Sequence, residues 1–90
     1  QGQYLIGRDI PVGTYDFFVV YGFGGTFDIV KYDSNNKVIA HTPHYHHVGL
    51  KEDYEKRELI HIQCTEGYTL KITGSVVLKI ARSQTVQIEL

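Results

Sequence analysis

Apolar residues recur with a period of two through most of this chain, most clearly in its last third. Ile60, Ile62 and Cys64, then Tyr68, Leu70 and Ile72, then Val76, Leu78 and Ile80, then Val86, Ile88 and Leu90 alternate with largely polar neighbours. Successive side chains of a strand point to opposite faces, so the spacing predicts four strands, each with one wet face. Thr65-Glu66-Gly67, Thr73-Gly74 and Ala81-Arg82-Ser83-Gln84 are short enough for tight hairpin turns, which predicts an antiparallel meander.

Earlier in the chain, residues 3–8, 14–21, 26–33 and 37–42 read as strands, with turns at 22–25 and 34–36. Phe17, Phe18, Val19, Val20 and Tyr21 are apolar on both faces, as suits a central strand or one that meets a partner. The β pattern breaks at residues 50–58, where Glu52 precedes Lys56 and Asp53 precedes Arg57 by four. That order supports a turn or two of helix, or an ordered loop, with Leu50 and Tyr54 facing the core. Many short strands without a long helix predict an all-β fold. The expected form is a two-sheet antiparallel β-sandwich of jelly-roll type, with about eight short strands and at most one short helix, and a small closed barrel is the alternative.

With 42% apolar residues, the 90 positions suffice for one domain around a single core. A formal charge of -1 lacks the basic footprint that phosphate-backbone binding requires, so no nucleic-acid partner is expected. No apolar run approaches the roughly 20 residues needed to cross a bilayer, and no segment reads as a targeting signal, so direct membrane insertion is not expected either. Met is absent, which predicts a chain processed or excised from a longer protein. One Cys allows no internal disulfide. Short strands and Lys-bearing edges predict a monomer.

The segment Gly7-Arg8-Asp9-Ile10-Pro11-Val12-Gly13-Thr14-Tyr15 carries turn chemistry. Pro11 suits the second position of a type I turn and Asp9 can accept the turn's free amides. Gly13 is expected at positive φ or in a close-packed turn position. Together with Glu66-Gly67-Tyr68-Thr69-Leu70-Lys71-Ile72-Thr73-Gly74 and the following Val76-Val77-Leu78, this opening resembles a group of small bacterial β-sandwich modules. These carry a G-x-D-I-P-x-G-T-Y start and a G-x-x-L-x-I-x-G end, in surface, lipoprotein and membrane-attached proteins, often of Gram-positive gut organisms. The resemblance implies the sandwich fold and a non-catalytic accessory role, extracytoplasmic or at the cell surface. It transfers no functional residue.

Candidate sites are few. His41, His44, His46 and His47 place four imidazoles within seven residues, and alternation puts His44 and His46 on one face, where they could share a transition metal. No carboxylate or Cys is organised beside them, so a polar loop with adventitious metal binding competes with that reading, and no cofactor is expected. His61 and Cys64 lie three apart on a strand and point to opposite faces, which rules them out as base and nucleophile. Cys64 reads as a buried, inert thiol. Ser34, Ser75 and Ser83 lie in or beside turns, none in the context of a nucleophilic serine. Tyr21-Gly22-Phe23-Gly24-Gly25 sets aromatics on flexible backbone, as a sugar-stacking platform would, and Tyr45 is a third candidate. Phe23 could equally plug the end of the sandwich.

Two functions follow as expectations. The first is a non-enzymatic module that mediates interaction or assembly for a larger surface protein. The alternative is a ligand-binding module, for a glycan through Tyr21, Phe23 and Tyr45 or for a metal through His44 and His46.

Overall fold

A computed structural model describes residues 2–83. They form eight strands and no helix: β1 (Gly2–Leu5), β2 (Gly13–Tyr21), β3 (Gly25–Tyr32), β4 (Val38–His41), β5 (His46–Val48), β6 (Glu58–Cys64), β7 (Thr69–Thr73) and β8 (Val77–Arg82). All pairings between strands are antiparallel. One sheet has the order β1-β7-β3-β4, with β5 pairing the other end of the β3 edge, and the second has the order β6-β2-β8. The late strand β7 separates β1 from β3, and the late strand β6 pairs β2. Such interleaving of early and late strands makes this a two-sheet sandwich of jelly-roll type.

The sheets meet face to face through Phe17 of β2 and Phe27 of β3, whose ring centroids lie 4.8 Å apart at 67°, edge to face. Around this pair are buried Ile6, Tyr15, Val19, Ile29, Val48, Leu59, Ile62, Cys64, Leu70, Ile72 and Val76. On β2, the inward Tyr15, Phe17 and Val19 alternate with Asp16 and Phe18, and the strand is central in its sheet, whereas Val20 and Tyr21 emerge into solvent.

Several expectations need correction. The last third is not a meander, because β6 and β8 lie in one sheet and β7 in the other, so Thr65–Gly67 and Thr73–Gly74 carry the chain across the sandwich. Short turns constrain how far the chain travels but leave open which sheet accepts the next strand. Ala81 and Arg82 are paired with Asp16 and Tyr15 inside β8 rather than forming a turn. β5 was not expected, and the strand expected around Val86, Ile88 and Leu90 lies outside the described residues.

Ile60 points outward, and Leu59 takes its place in the core. The cause is a bulge at His61, which sits at φ 58°. Tyr15 faces Ile62 and Phe17 faces Leu59, so β6 spends one residue more than β2 and its inward face changes parity. The Asp16 carboxylate accepts the His61 amide at 2.9 Å and so holds the bulge.

The opening motif also folds differently in detail. The tight turn runs from Leu5 to Ile10: the Leu5 carbonyl accepts the Asp9 amide at 2.8 Å, the Ile10 carbonyl accepts the Gly7 amide at 2.7 Å, and the Asp9 carboxylate accepts the Leu5 amide at 2.8 Å. Asp9 therefore does what turn chemistry predicts. Among the described residues no backbone bond closes a turn from Ile10 to Gly13, and the Pro11 carbonyl accepts the Tyr15 hydroxyl at 2.6 Å instead. Gly13 starts β2 without a positive φ, packed against the Arg82 guanidinium.

Between β5 and β6 the chain forms an ordered loop without helix. Leu50 and Tyr54 are exposed rather than core-facing, and the loop instead buries Gly49 and the charged Glu55. No helix among the described residues is long and apolar enough to cross a membrane.

Candidate functional site

At one end of the sandwich three turns converge: the β2–β3 turn at Tyr21–Gly25, the loop between β5 and β6, and the β7–β8 turn at Gly74–Ser75. The β2–β3 turn needs glycine at its first corner. Gly22 has φ 96°, and a Cβ there would stand 2.0 Å from the Ser75 carbonyl oxygen. The Ser75 hydroxyl joins these two turns further by donating to the Phe23 carbonyl at 2.8 Å, and the Leu50 amide ties the loop between β5 and β6 to the β2–β3 turn by donating to the Gly22 carbonyl at 3.0 Å.

Glu55 organises the loop. Its Oε2 accepts the Gly24 amide at 2.6 Å, and its Oε1 accepts the Lys51 and Glu52 amides at 3.0 and 2.7 Å. A buried carboxylate requires such donors, and three backbone amides supply them. The amides of Glu52 and Gly24 contribute most to holding the Glu55 carboxyl below the ordinary carboxylate value, and the Lys51 amide and Arg57 add to this against the opposing effect of burial. Gly49 lies against the same group: a Cβ there would meet the Glu55 carboxylate and push it off its amides. Arg57 closes the loop by donating from Nη2 to the Leu50 carbonyl at 3.1 Å.

This framework presents an open cleft of about 620 Å³ lined by Tyr21, Gly22, Phe23, Leu50, Lys51 and Ser75. Tyr21 and Phe23 are both more than half exposed, and the Lys51 ammonium stands 4.9 Å from the centroid of the Phe23 ring. Of the three aromatics expected to act together, the structure brings Tyr21 and Phe23 to one cleft and places Tyr45 elsewhere. The Tyr45 ring lies 5.6 Å from His47, edge-on, and His47 in turn lies 5.8 Å from Tyr54, an exposed row beside β5.

His44 and His46 do share a side of the chain, with ring centroids 6.4 Å apart. His46 also approaches the core Phe27 ring at 6.3 Å. Burial, more than the nearby His44 and Lys56, lowers the His46 pKa and favours its neutral, metal-competent form. Among the described residues, however, no three or more His, Cys, Asp or Glu side chains gather where they could hold an ion. Cys64 is fully buried, and burial pushes its thiol up to about 11. Ser83 does meet a carboxylate, donating its hydroxyl to Asp16, but Asp16 receives the backbone amide of His61 rather than its imidazole, so these three residues do not form a serine–histidine–aspartate relay.

Sequence reasoning missed Glu55, Leu50, Lys51 and Ser75. Nothing in the charged run distinguishes Glu55 from Glu52 or Asp53: two of its donors, Lys51 and Glu52, are local, but the third, Gly24, is brought to it only by folding. Comparison of the chain with family models, curated proteins and solved structures finds no match.

Proposed function

We propose that this chain is a non-enzymatic binding module of a bacterial surface or envelope protein, and that its cleft takes a sugar ring. The observation that carries this reading is the exposed pair Tyr21 and Phe23, set in one cleft with Leu50, Lys51 and Ser75 on a backbone tied down by Glu55. The volume lies within the range of small-ligand sites. Exposed aromatic faces suit the apolar faces of pyranose rings, with hydroxyl and ammonium groups at hand for the sugar's polar rim. Fixing the turn before binding lowers the ordering cost that a flexible glycine-rich loop would otherwise carry. The carboxylate beside the cleft has a structural role, since Glu55 is held by three amides. The extracytoplasmic setting rests on the resemblance of the opening and closing motifs.

An oligosaccharide array followed by calorimetric titration tests the proposal. Tyr21→Ala and Phe23→Ala are expected to abolish binding to whatever glycan the array reveals, and Tyr45→Ala to leave it intact. Binding that survives both cleft substitutions would refute this site.

A second reading, docking onto another part of a larger protein, draws on the exposed row Tyr45, His47 and Tyr54. Aromatic residues of this kind are enriched at protein interfaces. In that case Tyr45→Ala with Tyr54→Ala would release the module from its parent protein while the cleft variants would not.

A further inference from the structure

The cleft has a charge asymmetry that points to the class of sugar it takes. Among the described residues that line it, Lys51 is the one with a charged side chain and none is a carboxylate. Glu55, the acidic group bound closest to this framework, is turned to the protein side, where both of its oxygens are engaged by amides of Gly24, Lys51 and Glu52. The Lys51 backbone is fixed by that carboxylate, so its side chain leaves from a defined point and its ammonium stands over the Phe23 ring, at 4.9 Å from the centroid. An ammonium carries three donors and no acceptor. The Ser75 hydroxyl already donates to the Phe23 carbonyl and keeps its lone pairs for a donor from the ligand.

We infer that the cleft selects an anionic sugar, its ring on Tyr21 and Phe23 and its negative group on the Lys51 ammonium. This rests on the sugar-binding reading above. A neutral sugar would leave the Lys51 ammonium to water, whereas a uronic carboxylate or a sulfate ester beside the stacked ring makes a charge-assisted bond at the wall of an aromatic surface. Lysine acts here as a point charge, so the two anionic groups are both accepted, in contrast to the planar matching that an arginine would impose. The adjacent Ser75 oxygen accepts from a ring hydroxyl and orients the sugar on the platform.

The test compares three oligosaccharides of one backbone by calorimetry: a galacturonic acid trimer, its carboxyl-reduced galactose trimer, and a sulfated galactose trimer. A parallel array carries glucuronic, mannuronic and sialic acid sugars with their neutral counterparts. Anionic members are expected to bind about tenfold or more tightly than neutral ones, the scale of one hydrogen bond to a charged group. That preference should fall with added salt, vanish in Lys51→Gln and persist in Lys51→Arg. The Lys51 side chain is exposed and its backbone bond to Glu55 is untouched by these changes, so both variants fold. Equal binding of anionic and neutral sugars, or a preference that survives Lys51→Gln, overturns the inference and leaves the sugar-binding reading standing. Binding to none of the sugars overturns both.

Discussion

The carboxylate of Glu55 receives the amide of Gly24 at 2.6 Å, across 31 positions of sequence. This single bond ties the loop between β5 and β6 to the turn that bears Phe23, and with the Lys51 and Glu52 amides on the other oxygen it makes one charge the hub of the candidate site.

Glu55→Gln therefore loses more stability than Glu52→Gln, because the new amide NH₂ turns a donor toward backbone N–H groups that need an acceptor. The sign of the pH dependence follows from the lowered carboxyl. The folded state holds Glu55 below its ordinary value of 4.5, so the stability it confers is present above that value and is lost as pH falls through the folded one. Chemical denaturation at a series of pH values should show a steeper acid loss in the wild type than in Glu55→Gln. Parallel curves would contradict the assigned role.

Gly22→Ala is expected to cost about 1–3 kcal/mol from the backbone conformation alone, and more from the Ser75 carbonyl that its Cβ would meet. Gly13→Ala meets only the mobile end of Arg82, at 2.7 Å, and should change stability far less. Urea melts of the two variants separate these outcomes, and equal effects would show that the β2–β3 turn is looser than described.

Phe27 is fully buried and Phe23 is half exposed, although they stand four residues apart. Phe27→Ala should cost about 3–5 kcal/mol, a large part of the stability of a domain this small. Phe23→Ala should stay within about 0.5 kcal/mol of wild type, as surface changes do, while removing ligand binding. Thermal melts together with titration of the same samples check both halves.

Cys64 should resist thiol reagents at pH 8, since its thiol is buried and pushed up to about 11. Full reaction is expected only in denaturant. Rapid labelling of the native protein would place Cys64 outside the core.

Zinc should bind His44 and His46 only weakly, because two imidazoles fill half of a tetrahedral shell. We expect a Tm shift of no more than about two degrees at roughly ten micromolar Zn²⁺ and pH 7.5. A larger shift that disappears in the double variant His44→Ala, His46→Ala would establish a metal site there.

Period-two patterning was enough to read the all-β class and most strand positions, because a strand's two faces are written directly in successive residues. The turn at residues 34–36 was equally legible, with Asn36 at φ 61°, while Asp33, expected to end the strand, serves that turn by accepting the Asn35 and Lys37 amides at 2.8 and 2.9 Å. Likewise Tyr21 and Phe23 could be picked out as neighbours on a glycine-rich turn. What alternation does not encode is the partner of each strand. Thus β6, β7 and β8 looked like a meander and proved to cross between sheets, and the bulge at His61 exchanged Ile60 for Leu59. The cleft depended on tertiary structure for the same reason: Leu50, Lys51 and Ser75 join Phe23, and Glu55 reaches the Gly24 amide, only when distant segments are packed together. A residue's own type specifies which bonds it can make, while the closure of loops against the core decides which of them it does make.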